Sequence, residues 1–319
     1  EIAEAKMKDL NANDLDAART VIDDMLQRGV SAATIIDEVI APTQKIVGDH
    51  WQSGEWTIAQ EHAATEISSR MASFLETRSP PPRPEGRILV TSAEGEWHSL
   101  GGLLVSVGLR SAGHPVTSLG GPVPSGQLIP LIHDLGPRLL VVSCAMPANL
   151  YGAKKVIEVA RETGVAVVAG GSAVTPARAL KLGSYAYLPD VRSLLNYLDR
   201  KGPIPRTLPE SRSQRDEAAA RLARTTGELS AKLASAVMAE QLGEGVDTAR
   251  DLGGDGLFLL RALQSAVLLD EVDVFGNHLN WQIEVDPERS ELTRRIVEIM
   301  QTVIPPGFER SRAVLDAVR

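Results

Sequence analysis

Apolar positions along this chain change their spacing twice, and each change falls at a cluster of prolines. Over residues 1–78 they recur at helical intervals. Ala63, Ile67, Met71, Phe74 and Leu75 lie at steps of four, four, three and one, which puts them on one helix face. Thr57 and Gln60 have the spacing of a capping box that opens this helix. Asn13 and Ser31 are candidate N-caps, and Gly29 and Gly54 mark stops. The pattern predicts four helices in an antiparallel bundle.

After Ser79-Pro80-Pro81-Pro82-Arg83-Pro84 the period shortens. Continuous apolar runs at 87–92, 115–119, 138–144, 165–169 and 185–188 read as buried strands. Helical stretches at 98–113, 125–135, 149–163, 173–182 and 191–200 separate and follow them. Such alternation predicts a parallel, doubly wound sheet over 86–201, whose ligand belongs beyond the carboxyl ends of the strands. A second proline break, Gly202-Pro203-Ile204-Pro205-Arg206, leads into a helical segment, 207–319. Its predicted helices are 212–241, 255–272, 288–303 and 308–318, with breaks at Gly253-Gly254, Phe275-Gly276-Asn277 and Pro305-Pro306-Gly307.

Charge and composition narrow the function. With 41 acidic and 33 basic residues, the chain has a formal charge of -8. It is not expected to bind nucleic acid directly. The single cysteine, Cys144, excludes an internal disulfide framework. No apolar run is long enough to span a bilayer, so no membrane is expected as partner and a cytoplasmic location is.

The chemistry gathers at the predicted strand ends. Glu96-Trp97-His98-Ser99-Leu100-Gly101 follows the first strand, Leu119-Gly120-Gly121-Pro122 the second, Ser143-Cys144-Ala145 the third and Gly170-Gly171-Ser172 the fourth. A carboxylate two residues before a histidine supplies the outer partner that a metal-ligating imidazole usually has. The set resembles the cobalamin-binding domain, with its Asp/Glu-x-His-x-x-Gly, Ser-x-Leu and Gly-Gly elements and its flavodoxin-like sheet. The resemblance implies that His98 is the lower axial ligand of cobalt and Glu96 its partner. It further implies that Ser143 bonds the displaced nucleotide base, for which Gly170 and Gly171 leave room, with Gly101, Leu119 and Gly120 lining the site. Ala145 stands where the family usually has leucine.

Segment 1–78 then reads as a helical cap over the upper corrin face. Trp51, nine residues before the pair Glu61-His62, resembles the Trp-x9-Glu-His signature of CarH-type adenosylcobalamin photoreceptors. In that family the three residues pocket the 5′-deoxyadenosyl group. Light breaks the cobalt–carbon bond, and the cap moves with a change of assembly. Gln52 stands where the family has a histidine that captures cobalt afterwards, and His50 would point elsewhere. No helix-turn-helix is read ahead of the bundle, so the chain is not expected to repress transcription by itself.

With its helical extension the whole resembles the photocobilins, photoreceptors that hold cobalamin and biliverdin in neighbouring sites. That resemblance implies a bilin in 207–319, not linked through Cys144. Arg221, Arg224, Arg250 and Arg261 are candidates for its propionates, and His278 with Trp281 for its pyrroles. The expected function is that of a light sensor and not an enzyme. Its expected partners are other copies, in a light-dependent homo-oligomer, and a downstream signalling protein or fused effector. The alternative is a corrinoid carrier for methyl transfer. A mutase subunit would need a substrate barrel that this length does not encode, and a flavodoxin-like response module would leave Glu96, His98 and the cap unexplained.

Overall fold

The computed structural model describes residues 15–200, 214–239 and 246–318. They fall into two units, 1–145 with 152–209 and 146–151 with 210–319. The cap and the sheet therefore belong to one unit.

The cap comprises α1 (Leu15–Gln27), α2 (Ala32–Ile35), α3 (Ala41–Gln52) and α4 (Ile58–Glu76). Ser31 caps α2 through its hydroxyl, which accepts the Thr34 N–H at 3.1 Å. A π-turn, Ile36–Ile40, joins α2 to α3 into one rod. Pro42 follows in the first turn of α3. It has no N–H to give, its ring crowds the carbonyl four residues back, and a widened turn relieves both. Gly29 and Gly54 end their helices with φ of 79° and 76°. The capping box is complete: Gln60 N–H donates to Thr57 Oγ1 at 3.3 Å, and Thr57 N–H to Gln60 Oε1 at 2.9 Å.

The buried face of α4 is Ala64, Ile67, Ser68, Met71, Ala72 and Leu75. Ala63 is displaced to its edge, and Phe74 is only half buried, between the Arg19 and Arg78 guanidiniums at 4.9 and 4.8 Å. A small buried serine completes the stripe that Ala63 was expected to begin. Asn13 and the first expected helix lie outside the described residues.

The sheet is parallel, in the order β2-β1-β3-β4-β5, with β1 Ile88–Ser92, β2 Val116–Pro122, β3 Leu139–Ser143, β4 Ala166–Gly170 and β5 Ala186–Tyr187. This is the doubly wound topology, whose switch point lies between β1 and β3. Ser92, Ser143 and Gly170 stand level, so the three central strands finish together. Helices α5 (Leu100–Ser111), α6 (Leu128–Leu135), α7 (Leu150–Glu162), α8 (Pro176–Leu182) and α9 (Val191–Asp199) cover the faces.

Helix α5 joins two cores. Leu104 and Val107 pack with the cap around Met71 and Val47, while Leu109 packs on the sheet with Val90 and Val141. Gly108 lets α9 come close, since a Cβ there would lie 2.3 Å from Val191 Cγ1. The first proline linker, without helix or strand over 79–87, is pinned by Arg83 N–H to Gly113 O at 2.8 Å. The second lies outside the described residues.

The second unit holds α10 (Gln214–Ala239), α11 (Val246–Leu269), α12 (Val272–Val285), α13 (Ser290–Val303) and α14 (Glu309–Ala317). Two expected breaks are absent: α11 runs through Gly253-Gly254, and α12, which is not among the predicted helices, runs through Phe275-Gly276-Asn277. Packing explains a neighbouring glycine, because a Cβ at Gly256 would lie 2.8 Å from Leu233 Cδ2. The chain turns instead at Asp270, whose φ is 56°. The expected stop at Pro305-Pro306-Gly307 is present. Ser265 on α11 accepts the Tyr151 N–H at 3.1 Å and donates to Ala148 O at 3.1 Å, which ties 146–151 into this unit. No helix among the described residues is long and apolar enough to cross a membrane.

Candidate corrinoid site

The loop after β1 holds Glu96 and His98. Glu96 is fully buried. Its Oε1 accepts the His98 N–H at 3.0 Å and lies 2.6 Å from His98 Nδ1, and its Oε2 accepts the Ala145 N–H at 2.9 Å. The histidine side chain itself is 63% exposed. A carboxylate on Nδ1 fixes the proton there and leaves Nε2 to face outward as a ligand. The hydrogen bond that His98 donates to Glu96 raises the His98 pKa, burial opposes it, and the charges of Glu96 and then Glu61 raise it further.

The neighbouring glycines answer first to the fold. A Cβ at Gly101 would lie 2.9 Å from Ser143 Oγ, so the first turn of α5 passes directly over that serine. At Gly170 a Cβ would meet Leu188 O at 2.4 Å, and at Gly171, with φ of 104°, Cys144 O at 2.3 Å. The room expected there for a nucleotide base is bounded by backbone on these sides. By contrast Gly120 and Gly121 face open space, with nothing within 4 Å of a built Cβ. Gly120 lies inside β2 and not after it, because a register shift between Val90 and Ser92 carries the strand on to Pro122. Leu119 before it is half buried. Cys144 is buried one residue beyond β3, its N–H donating to Gly170 O at 3.0 Å.

Glu94, two residues before Glu96, escaped the sequence reading. Its carboxylate accepts the Ser125 N–H at 2.8 Å and pairs with Lys155. Burial would raise its pKa, but the bonds from Lys155 and Ser125 prevail and the net direction is down. Its partners come from the loop after β2 and from α7, which no local pattern joins.

On the cap, Trp51 is the penultimate residue of α3, half buried, and Gln52 is exposed. His50 pairs with Glu55 and stacks on Trp56 at 5.5 Å. Glu61 lies in the first turn of α4, which starts at Ile58. Its Oε1 accepts the Thr65 hydroxyl at 2.7 Å, and its Oε2 lies 2.6 Å from Nδ1 of the exposed His62. Gln44 Nε2 in turn donates to Thr65 Oγ1 at 2.5 Å. The charge of Glu61 also acts on His98, as the smallest of the causes that raise its pKa. The sequence flagged neither Gln44 nor Thr65; the i, i+4 spacing of Glu61 and Thr65 was the available signal.

In the second unit His278 lies in helix α12. It is buried and stacks on Trp281 at 5.5 Å. Burial pushes its pKa down to about 4. His278 Nε2 and Gln282 Oε1 are buried without a hydrogen-bond partner among the described residues. The expected arginines are otherwise occupied: Arg221 donates to Gly307 O and lies over Phe308, Arg224 pairs with Glu217, and Arg261 lies over Phe258. The Arg250 side chain lies outside the described residues.

No cluster of three or more His, Cys, Asp or Glu among the described residues is arranged to hold a metal ion. A corrin brings four ring nitrogens of its own, so one imidazole suffices, and the Glu96-oriented His98 fits that requirement.

The comparisons agree with this geometry. The chain is 28% identical over 162 residues to dimethylamine corrinoid protein 2 of Methanosarcina mazei, covering 49% of this chain and 76% of the relative. It is 26% identical over 194 residues to the trimethylamine corrinoid protein of Methanosarcina barkeri, covering 58% and 89%. The solved monomethylamine corrinoid protein of Methanosarcina barkeri shares the fold, with a TM-score of 0.50, 22% identity, and coverage of 60% of this chain and 93% of that one. Residues 86–191 match the B12 binding domain and residues 9–76 a second B12 binding domain model, so the cap and the sheet together form a two-part cobalamin-binding module.

Proposed function

We propose that this protein is a light-responsive adenosylcobalamin sensor, a binding and signalling protein and not a catalyst. The observation that supports the reading most directly is the Glu61 carboxylate on the cap, anchored on two sides by Thr65 and His62, with its charge acting on His98. A methyl group on cobalt has no use for such an acceptor, whereas the ribose hydroxyls of an adenosyl group do. In this reading His98 is the lower ligand, oriented by Glu96. Ser143, with Gly101 close over it, would face the nucleotide. Glu61, with His62 on its other oxygen and Trp51 at the end of α3, encloses the upper group. When bound, adenosylcobalamin supplies a cobalt–carbon bond that green light breaks.

Without the adenosyl hydroxyls Glu61 has no ligand to hold, and the cap is released to change the assembly of copies or to engage a signalling partner. Gln52 cannot latch cobalt as an imidazole would. Biliverdin is the proposed second chromophore, and the buried His278 with its unpartnered Nε2 supports a ligand in the second unit.

A second reading, a corrinoid carrier for methyl transfer, is supported by the relatives, which are named as methylamine corrinoid proteins. They cover 49–58% of this chain, so they leave much of it unaccounted for. The test is an absorption spectrum of protein reconstituted in the dark with adenosylcobalamin and biliverdin, before and after green light. Conversion of a histidine-ligated spectrum beside a retained red band is expected. A cobalamin spectrum that light leaves unchanged in air sinks the sensor and favours the carrier. Conversion without the red band removes biliverdin alone.

A further inference from the structure

We propose that Thr65 and Gln44 are positioning residues that hold the Glu61 carboxylate in one place and thereby set which upper group the corrinoid site accepts; the inference rests on the reading of the cap as an adenosyl pocket. The direction of each bond in the relay is fixed by proton count. Thr65 has one hydroxyl proton and a carboxylate only accepts, so that proton goes to Glu61 Oε1, 2.7 Å away. The hydroxyl oxygen is then free to accept, and it takes an N–H of Gln44 Nε2 at 2.5 Å. This fixes the Gln44 amide with nitrogen toward Thr65. Its Oε1 is buried without a hydrogen-bond partner among the described residues.

Glu61 and Thr65 are four apart on α4 and share a face, whereas Gln44 belongs to α3, the helix that carries Trp51 near its end. The relay therefore ties the carboxylate to the helix carrying the indole. With His62 Nδ1 on Oε2, both carboxylate oxygens are engaged before any ligand arrives. A free glutamate has a large rotamer entropy to lose when it is ordered, and a pre-ordered one has already lost it. Selectivity between an upper group with hydroxyl donors and one without depends on the acceptor staying where the hydroxyls will be.

Thr65→Val keeps the shape and removes the hydroxyl, Thr65→Ser keeps the hydroxyl, and Gln44→Met removes the outer donor. Gln44→Met also removes a buried acceptor that has no partner, so it is not expected to impair folding. Absorbance titrations in the dark give the ratio of Kd for methylcobalamin to Kd for adenosylcobalamin, with hydroxocobalamin as control. Thr65→Val should lower the wild-type ratio about tenfold, the scale of one hydrogen bond to a charged group. Gln44→Met should lower it by less, and Thr65→Ser should keep it. Hydroxocobalamin affinity and the histidine-ligated spectrum should not change in any variant. A wild-type preference that Thr65→Val leaves intact overturns the relay, as does an equal loss in Thr65→Ser. A wild type without any preference overturns the adenosyl reading, and the selectivity role of the relay with it.

Discussion

Glu96 offers two acceptor oxygens to three donors: the His98 N–H, His98 Nδ1 and the Ala145 N–H. Glutamine in its place keeps one acceptor and turns an NH2 toward a donor. Glu96→Gln is therefore expected to weaken hydroxocobalamin binding by roughly 10–100-fold, the usual cost of losing an outer partner of a metal-ligating histidine. An absorbance titration checks this, with circular dichroism to confirm the fold. His278 makes a different prediction. With its pKa at about 4 in the folded chain, the neutral imidazole is the native form. Between the ordinary histidine pKa and about 4 the unfolded chain binds a proton that the native chain does not, so stability falls as pH falls through that window. The full loss is about 3 kcal/mol. Denaturant unfolding from pH 7 to pH 4 should show that loss in the wild type and its absence in His278→Leu. At this scale the sequence was informative about Glu96 and His98, whose spacing is local. It was silent on Glu94 and Gln44, whose partners are brought by other elements.

Helix α4 joins the cap core to the site, because its buried face ends at Leu75 while its first turn carries Glu61. Loss of its cap should therefore act on both. Thr57→Ala removes the hydroxyl that accepts the Gln60 N–H and is expected to cost about 1 kcal/mol of stability. Hydrogen exchange should localise the faster opening to the first turn of α4, and thermal unfolding should give the total. The sheet was legible to within about two residues at most strand ends, since buried parallel strands read as continuous apolar runs. Helices α11 and α12 were not, because glycine weakens a helix without ending it and packing against Leu233 needs the missing Cβ at Gly256.

For the whole molecule, the division into two units sets where a ligand is felt. Every residue proposed to surround the corrinoid, from Trp51 to Gly171, belongs to the first unit. Hydroxocobalamin at about 100 times its Kd is expected to stabilise that unit by about 2.7 kcal/mol. Hydrogen exchange should show the added protection along β1, β3 and α4. Equal protection of α12 would mean that the ligand is also felt in the second unit.

By itself the sequence determined the order of helices and strands over 86–201, the motif-bearing ends of β1, β3 and β4 and the histidine with its carboxylate, because each is written in local spacing. Only the tertiary structure decided that the charge of the cap carboxylate acts on that histidine, that Gly170 and Gly171 are bounded by the backbone of Leu188 and Cys144, and that His278 is buried. These depend on the approach of segments far apart in the chain, which apolar burial brings about and no local pattern records.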